Sequence, residues 1–383
     1  MSKRKVCFVI TSNIHYSRSK MILRELRRRP DIDLQIVVGG SAVLDRYGEV
    51  LSVMKKDGFP HNARLTFSFE GGDSIAMAKT AGIGISEFAT VFDNLKPDIV
   101  VIRGDRYEVL SAAVASAYLN IPVAHLEGGD VTGTIDESVR HAVTKLAHIH
   151  FVTNDLAKER VIRMGEDPSF VFNFGCPEVE YLSGQRFRVS NALVNKIGVG
   201  DIVDMRKPYL VVMTHPVTTE GNEQNGRNAR VLLEAIHELG IPTVWFWPNA
   251  DAGTDAIASQ IRVWREKKKP EHMRFLKYLP ADQFVGLLSK ATCLIGNSSA
   301  GIKECSYLGI PVVNIGTRQH GRMRGPNVID VGYGKASIQK AIDKQIARGK
   351  YESSGIYHRP GTSKNIAKTL ATVPLYVQKH FVD

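Results

Sequence analysis

Apolar positions along the chain fall into two alternating patterns. Short apolar runs occur at "KVCFVIT" (5–11), "LQIVVGG" (34–40), "PDIVVIRGD" (97–105) and "IPVAHLEGG" (121–129), and they predict buried strands. Between them the spacing is helical, at Met21, Ile22, Leu23 and Leu26, at Ile85, Phe88, Val91 and Phe92, and through 108–120. The same order returns later. Strands are predicted at 208–216, 241–249, 274–279, 292–299 and 311–316, with helices at 229–240, 281–291 and 302–309. Strands alternating with helices through short turns predict an α/β chain with doubly wound parallel sheets. The stretch 183–208 is polar and weakly patterned, so the linker is placed near residues 177–190. The expected architecture is two doubly wound, Rossmann-like domains with a cleft between them, the first over 1–180 and the second over 181–361.

Composition narrows the class. Hydrophobic residues make up 43% and charged residues 23%, a globular profile. No run of about 18 apolar residues occurs, so no membrane span is expected. "MSKRKVCFVI" reads as a first strand and not as a signal peptide. Cys7, Cys176, Cys293 and Cys305 are far apart, which suits a reducing cytosol and argues against a zinc site. The formal net charge is +11, but only 24–30 and 265–270 are densely basic. Both clusters fall near predicted helix ends, where cations offset the helix dipole. An anionic small substrate therefore uses the excess charge better than nucleic acid does.

Ligands of open α/β sheets meet the carboxyl ends of the strands. Those ends carry Gly104-Asp105-Arg106, Glu127-Gly128-Gly129, Thr214-His215-Pro216, Gly296-Asn297-Ser298-Ser299 and Gly316-Thr317-Arg318. Asp105 and Glu127 end successive strands, and paired carboxylates can be held in different protonation states. Each acid alone would equally well cap a turn or helix. Residues 125–141 are dense in charge. Within them Thr134 and Glu137 fit a capping box, and Asp136 with Arg140 and Glu137 with His141 fit helical i,i+4 pairs. Gly128, Gly129 and Gly133 suggest backbone passing close to a ligand. "GNSSAGIKE" (296–304) runs from a strand into a helix whose free amides favour an anion, with Ser298 and Ser299 as added donors. Glu304 could accept both hydroxyls of a ribose, and Arg318 could reach the same phosphates. Ordinary serine capping is the plainer account of the serines, and a structural role is the plainer one for His215. No Walker ending is present.

These motifs resemble a known family. "GDRYE", "HLEGGDVTGTIDESVRHAVTKLAH", "HPVTTE" and "GNSSAGIKE…GTRQHGR" closely resemble the hydrolysing UDP-N-acetylglucosamine 2-epimerases, over roughly residues 5 to 350. That family forms UDP and N-acetylmannosamine in sialic-acid synthesis, and its relatives act on 2,4-diacetamido-6-deoxy sugar nucleotides for legionaminic acid. The non-hydrolysing branch shows Asp-Thr where this chain has Asp105-Arg106, and a His-Arg-Arg type motif at His215-Pro216-Val217. The resemblance implies a GT-B-like fold whose C-terminal segment, about 362–383, packs back on the first domain. It also implies a cytoplasmic homodimer or homotetramer and a UDP-linked substrate. It carries the acid/base carboxylates to Asp105, Glu127 and Asp136, and the leaving-group contact to His215. The diphosphate site falls on Ser298, Ser299 and Arg318 with Gly316 and Thr317, and the ribose contact on Glu304. Arg106 and Glu137 match without a defined role. The family's arginine after the first strand is replaced by Ile14, so Arg18 or His15 is expected to supply the charge.

The implied chemistry explains the acids. The C2 proton of an N-acetylated sugar is barely acidic, so its removal must be coupled to loss of the C1 diphosphate, giving a 2-acetamidoglycal. Water then adds at C1 while an acid protonates the opposite face of C2. Opposed proton transfers need several carboxylates, and no metal or redox cofactor is required. A GT-B glycosyltransferase would share the nucleotide site but need an acceptor groove. A dinucleotide-dependent oxidoreductase would want Gly-x-Gly-x-x-Gly after the first strand, where "TSNIHYS" has no glycine. A sugar-nucleotide sensor would need the binding residues alone.

Overall fold

In the computed structural model, which describes residues 3–44, 49–69, 73–183, 187–249 and 251–383, the chain forms two units. The first comprises Met1–Asp130, Ile135–Tyr181 and Tyr357–Asp383; the second comprises Val131–Thr134 and Leu182–Ile356. The expected linker at 177–190 includes 184–186, which lie outside the described residues.

The first unit is built on β1 (Arg4–Ile10), β2 (Ile32–Val38), β3 (Ala63–Arg64), β4 (Ile99–Arg103), β5 (Val123–Leu126), β6 (Ile149–Val152) and β7 (Val171–Asn173). They lie in the order β3-β2-β1-β4-β5-β6-β7, all parallel. Val6, Phe8 and Ile10 face one apolar cluster while Cys7 and Val9 face another, because alternate residues of a strand point to opposite faces. Both faces are covered, so these strands read as continuous apolar runs. The strand order reverses between β1 and β4, which opens a crevice at their carboxyl ends. Among the described residues one helix, Ser74–Leu95, is long and apolar enough to cross a membrane by length and composition. Its Phe88 and Phe92 are instead buried among Val100, Ile102 and Val109. The C-terminal helix Thr362–Thr372 places Ile366, Ala367 and Leu370 in the same cluster as Val6 and Leu23. Arg4 closes this contact by donating to the Leu370 and Val373 carbonyls at 2.9 Å each.

The second unit repeats the plan with β8 (Val199–Gly200), β9 (Leu210–Met213), β10 (Thr243–Phe246), β11 (Met273–Leu276), β12 (Cys293–Gly296), β13 (Val312–Ile315) and β14 (Val328–Val331). The order is β14-β13-β12-β9-β10-β11-β8, with only β8 antiparallel. Its reversal lies between β9 and β12. The basic clusters end helices as expected, with Arg27 and Arg28 closing Asn13–Arg28, and Arg265, Lys267 and Lys268 closing Thr254–Lys268.

Several expectations change. The segment Ile14–Arg18, which precedes the first helically spaced apolar residues at Met21–Leu26, already lies in the helix Asn13–Arg28, whose Ser12 cap accepts from the His15 amide at 3.2 Å. The polar stretch 183–208 contains the helix Asn191–Ile197 and strand β8. The helix expected at 229–240 begins at Gly221, where a polar, glycine-containing start hid it. The helix expected at 302–309 is two short pieces, Ser299–Ile302 and Glu304–Leu308, broken at Lys303.

Candidate active site

In the first unit, the reversal brings together the ends of β1 and β4. Thr11 and the buried His15 stand on one side and Gly104-Asp105-Arg106 on the other. His15 Nδ1 is 3.0 Å from the Thr11 hydroxyl. Burial, with the Arg106 and Arg103 charges, pushes the His15 imidazolium down to about 3, so this ring is neutral at pH 7. Asp105 and Glu127 act on the same ring in the opposite sense, which places all four charges around it. Arg106 forks onto the fully buried Glu108 at 3.0 and 3.2 Å, an arrangement that fixes its guanidinium.

Gly104 and Glu127 end neighbouring strands with left-handed backbone, at φ +78° and +72°. Glycine adopts this freely, whereas a glutamate there is strained. Glu127 Oε1 lies 3.1 Å from Arg103 Nη2, which also pairs with Glu178 Oε2 at 2.5 Å. Arg18, expected to supply a charge for the nucleotide, has Nη1 3.5 Å from Glu178. Neither Arg103 nor Glu178 was singled out in the sequence. The available signal was a charged residue closing the otherwise apolar run "IVVIR".

Asp105 pairs with Arg140, whose Nη1 donates to the Asp130 carbonyl at 2.7 Å. Burial opposes the Arg140 charge, but Asp105 and then Asp130 more than offset it, and Asp136 contributes less. The Asp136–Arg140 pair expected from helical spacing is therefore secondary to a tertiary pair with Asp105. Asp136 sits half-buried in the first turn of the helix Ile135–Leu146. Glu137 and His141 do form the expected i,i+4 pair, at 3.8 Å, on the partly exposed side of that helix. His125 is structural: it bridges the Gly104 carbonyl at 2.8 Å and the Thr144 hydroxyl at 3.2 Å, and burial lowers it to about 4. The glycines read as ligand-facing serve the protein's own packing. A Cβ would stand 2.9 Å from Thr144 Oγ1 at Gly128, 2.3 Å from the Ala157 carbonyl oxygen at Gly129 and 2.1 Å from the Thr317 carbonyl oxygen at Gly133.

In the second unit, Asn297 joins the two strand ends at the reversal. Its Oδ1 accepts from the His215 amide at 2.7 Å and its Nδ2 donates to the His215 carbonyl at 2.8 Å. The Asn297 carbonyl in turn accepts from Arg318 at 3.2 Å and Gln319 at 2.9 Å. Asn297 thus holds His215 and Arg318 in one arrangement, a role the sequence did not reveal. Gly296 is required beside it, since a Cβ would stand 2.0 Å from the Met213 carbonyl oxygen. His215 Nδ1 accepts from the Asn249 amide at 3.3 Å, so in the neutral ring Nε2 carries the proton. Ser298 caps the short helix Ser299–Ile302 by accepting from the Ala300 amide at 3.3 Å, and Glu304 is buried one turn on. Gly316 and the exposed Thr317 lead into Arg318, with Thr317 donating to Glu220 at 3.2 Å.

Known proteins match this chain along nearly its whole length. The family model for UDP-N-acetylglucosamine 2-epimerase matches residues 24–371. A UDP-N,N'-diacetylbacillosamine 2-epimerase (hydrolyzing) from Legionella pneumophila is 32% identical, over 98% of this chain and 97% of that protein. A UDP-N-acetylglucosamine 2-epimerase from Neisseria meningitidis is 28% identical, over 100% and 99%. The solved Methanocaldococcus jannaschii UDP-GlcNAc 2-epimerase shares the fold, with a TM-score of 0.78 at 18% identity over 96% of this chain and 99% of that one. With two Rossmann-like units, and matching the family model over residues 24–371, the chain belongs to the UDP-N-acetylglucosamine 2-epimerase family.

Proposed function

We propose that this chain is a hydrolysing 2-epimerase that converts UDP-N-acetylglucosamine and water into N-acetylmannosamine and UDP. The observation carrying this reading is that Asp105 and Glu127 end neighbouring strands, each paired with a different buried arginine, Arg140 and Arg103. Two separately anchored carboxylates suit two proton transfers on opposite faces of one carbon. In the first step a carboxylate takes the C2 proton, the C1–O bond breaks, and UDP leaves with the bonding pair. In the second, water adds at C1 and a carboxylic acid returns a proton to the other face of C2. Asp136 is assigned to the same acid/base set.

The second unit is assigned the nucleotide. With its Nδ1 already accepting from Asn249, His215 is assigned to offer an Nε2 proton to the departing phosphate, Ser298, Ser299 and Arg318 to hold the diphosphate, and Glu304 to accept from the ribose. Ser298→Ala with Ser299→Ala, or Arg318→Ala, is expected to weaken UDP binding by about 1.5–3 kcal/mol. Calorimetric titration with UDP checks this, and an unchanged affinity would move the diphosphate elsewhere.

A second reading keeps the chemistry and changes the sugar to a UDP- or GDP-linked 2,4-diacetamido-2,4,6-trideoxy hexose. The Legionella relative is named for such a sugar, and the apolar, exposed Ile14 stands where the family has arginine. Incubation with each sugar nucleotide side by side decides between them. Run in deuterium oxide and in ¹⁸O water, the free sugar should gain deuterium at C2 and ¹⁸O at C1. Label in UDP would mean hydrolysis at phosphorus. A UDP-linked product with no free UDP would mean the non-hydrolysing reaction.

A further inference from the structure

The helix Asn13–Arg28, strand β4, the end of β5 and the segment at 176–178 enclose a buried chain of alternating charges, Arg18, Glu178, Arg103 and Glu127. Arg103 is 1% exposed, Glu178 5% and Glu127 12%. Arg103 Nη2 reaches Glu127 at 3.1 Å and Glu178 at 2.5 Å, while its Nη1 donates to the Arg18 carbonyl at 3.0 Å. Glu178 also lies 3.5 Å from Arg18. Cys176 Sγ also lies 4.0 Å from Glu127 Oε1, and Glu127 acts on the neutral His15 ring together with Asp105, Arg106 and Arg103. Donor atoms of Glu127, Cys176 and Glu178 fall within 4.8 Å of one another, and the Arg103 guanidinium supplies the positive charge among them.

We propose that Arg103 and Glu178 are positioning residues that together set the charge of Glu127, so that Glu127 enters the reaction as the carboxylate that takes the C2 proton. This inference rests on the hydrolysing-epimerase reading above. Arg103 favours the ionised form because an opposite charge within about 4–6 Å lowers a carboxyl's pKa. A single carboxylate locked to a buried guanidinium would be too weak a base. Glu178 shares that guanidinium and adds a second negative charge, which restores basicity to Glu127. Both pairings are fixed by burial, and Glu127, on a left-handed backbone, reaches back to Arg103 at the end of β4. Asp105, anchored to Arg140, is left for the opposite face.

The test is the pH dependence of kcat for UDP release from UDP-N-acetylglucosamine, and from the 2,4-diacetamido sugar nucleotide, by the full chain. Glu178→Gln removes a like charge and frees Arg103 for Glu127, so its acidic limb should move to lower pH by about 1 unit. Arg103→Met removes the cation, so its limb should move to higher pH by about 1–3 units. Neither change should alter UDP affinity by itself. Opposite shifts support the proposal. A folded Glu178→Gln chain with lowered melting temperature and an unmoved limb would mark the cluster as merely structural and overturn it. If Arg103→Met fails to fold, Glu178→Gln alone decides. A parent chain that releases no UDP from either sugar nucleotide sinks the reaction assignment. A parent that turns over, with unmoved limbs in the variants, sinks only the role of Arg103 and Glu178.

Discussion

Glu127→Gln and Asp105→Asn are expected to keep UDP binding and to lose turnover by about 10²–10⁴-fold, the usual worth of one positioned proton-transfer group. Both substitutions are near-isosteric and lie in the first unit, whereas the nucleotide is assigned to the second. Their effects on stability should differ. Glu127→Gln leaves Arg103 with Glu178, but Asp105→Asn takes from the buried Arg140 the carboxylate that most favours its charge. Removing one partner of a buried ion pair is costly because the remaining charge stays desolvated. Asp105→Asn should therefore melt lower than Glu127→Gln. UDP release assays, UDP calorimetry and thermal melts measure all three quantities. Near-parental turnover in either variant would remove that residue from the chemistry, and loss of UDP affinity in both would mean that the units are assigned the wrong tasks.

Glu166→Gln is expected to destabilise the first unit by about 3 kcal/mol at pH 7, from a shift of 4.5 to about 2 at roughly 1.4 kcal/mol per pH unit. Glu166 is 2% exposed and accepts from Lys145 at 2.6 Å, His150 at 3.0 Å and Lys379 at 2.6 Å. Burial alone would raise its carboxyl, but these three hydrogen bonds outweigh burial and bring it down to about 2. A carboxyl depressed in the folded state adds stability that is complete above its unfolded pKa and is lost as pH falls through the folded one. This contribution should therefore fade between about pH 4.5 and 2 in the parent and be missing throughout in Glu166→Gln. Lys379 belongs to the C-terminal tail and also donates to the Lys145 and Ala147 carbonyls, while the Val382 amide bonds the Gly165 carbonyl at 3.1 Å. The substitution should thus loosen the tail as well. Urea unfolding across pH and limited proteolysis of the tail check both parts. A stability change below about 1 kcal/mol, with an unaltered tail, would show that these buried pairings contribute no more than surface ion pairs do.

Much of this protein follows from local pattern. Apolar runs such as "DIVVI" and "YLVVM" become buried parallel strands because each is covered on both faces. The polar residues after those runs stand at strand carboxyl ends because the alternation of strand and helix leaves them no other place. Asp105, Glu127, His215 and Ser298 could therefore be named from order alone, as could the cations that end two helices. Local pattern misled where a cap or a glycine carries more than one meaning. Ser12 starts a helix through residues with no apolar period, and Gly129 and Gly133 make room for the protein's own carbonyls. What only the tertiary structure decided is who partners whom. Arg140 reads as the helical neighbour of Asp136, yet it turns to Asp105, 35 residues away. Arg103 meets Glu178 across 75 residues, and Asn297 meets His215 across 82. Helical and strand periods report only on residues a few positions apart, whereas a buried charge must find a partner wherever strand order brings one within reach.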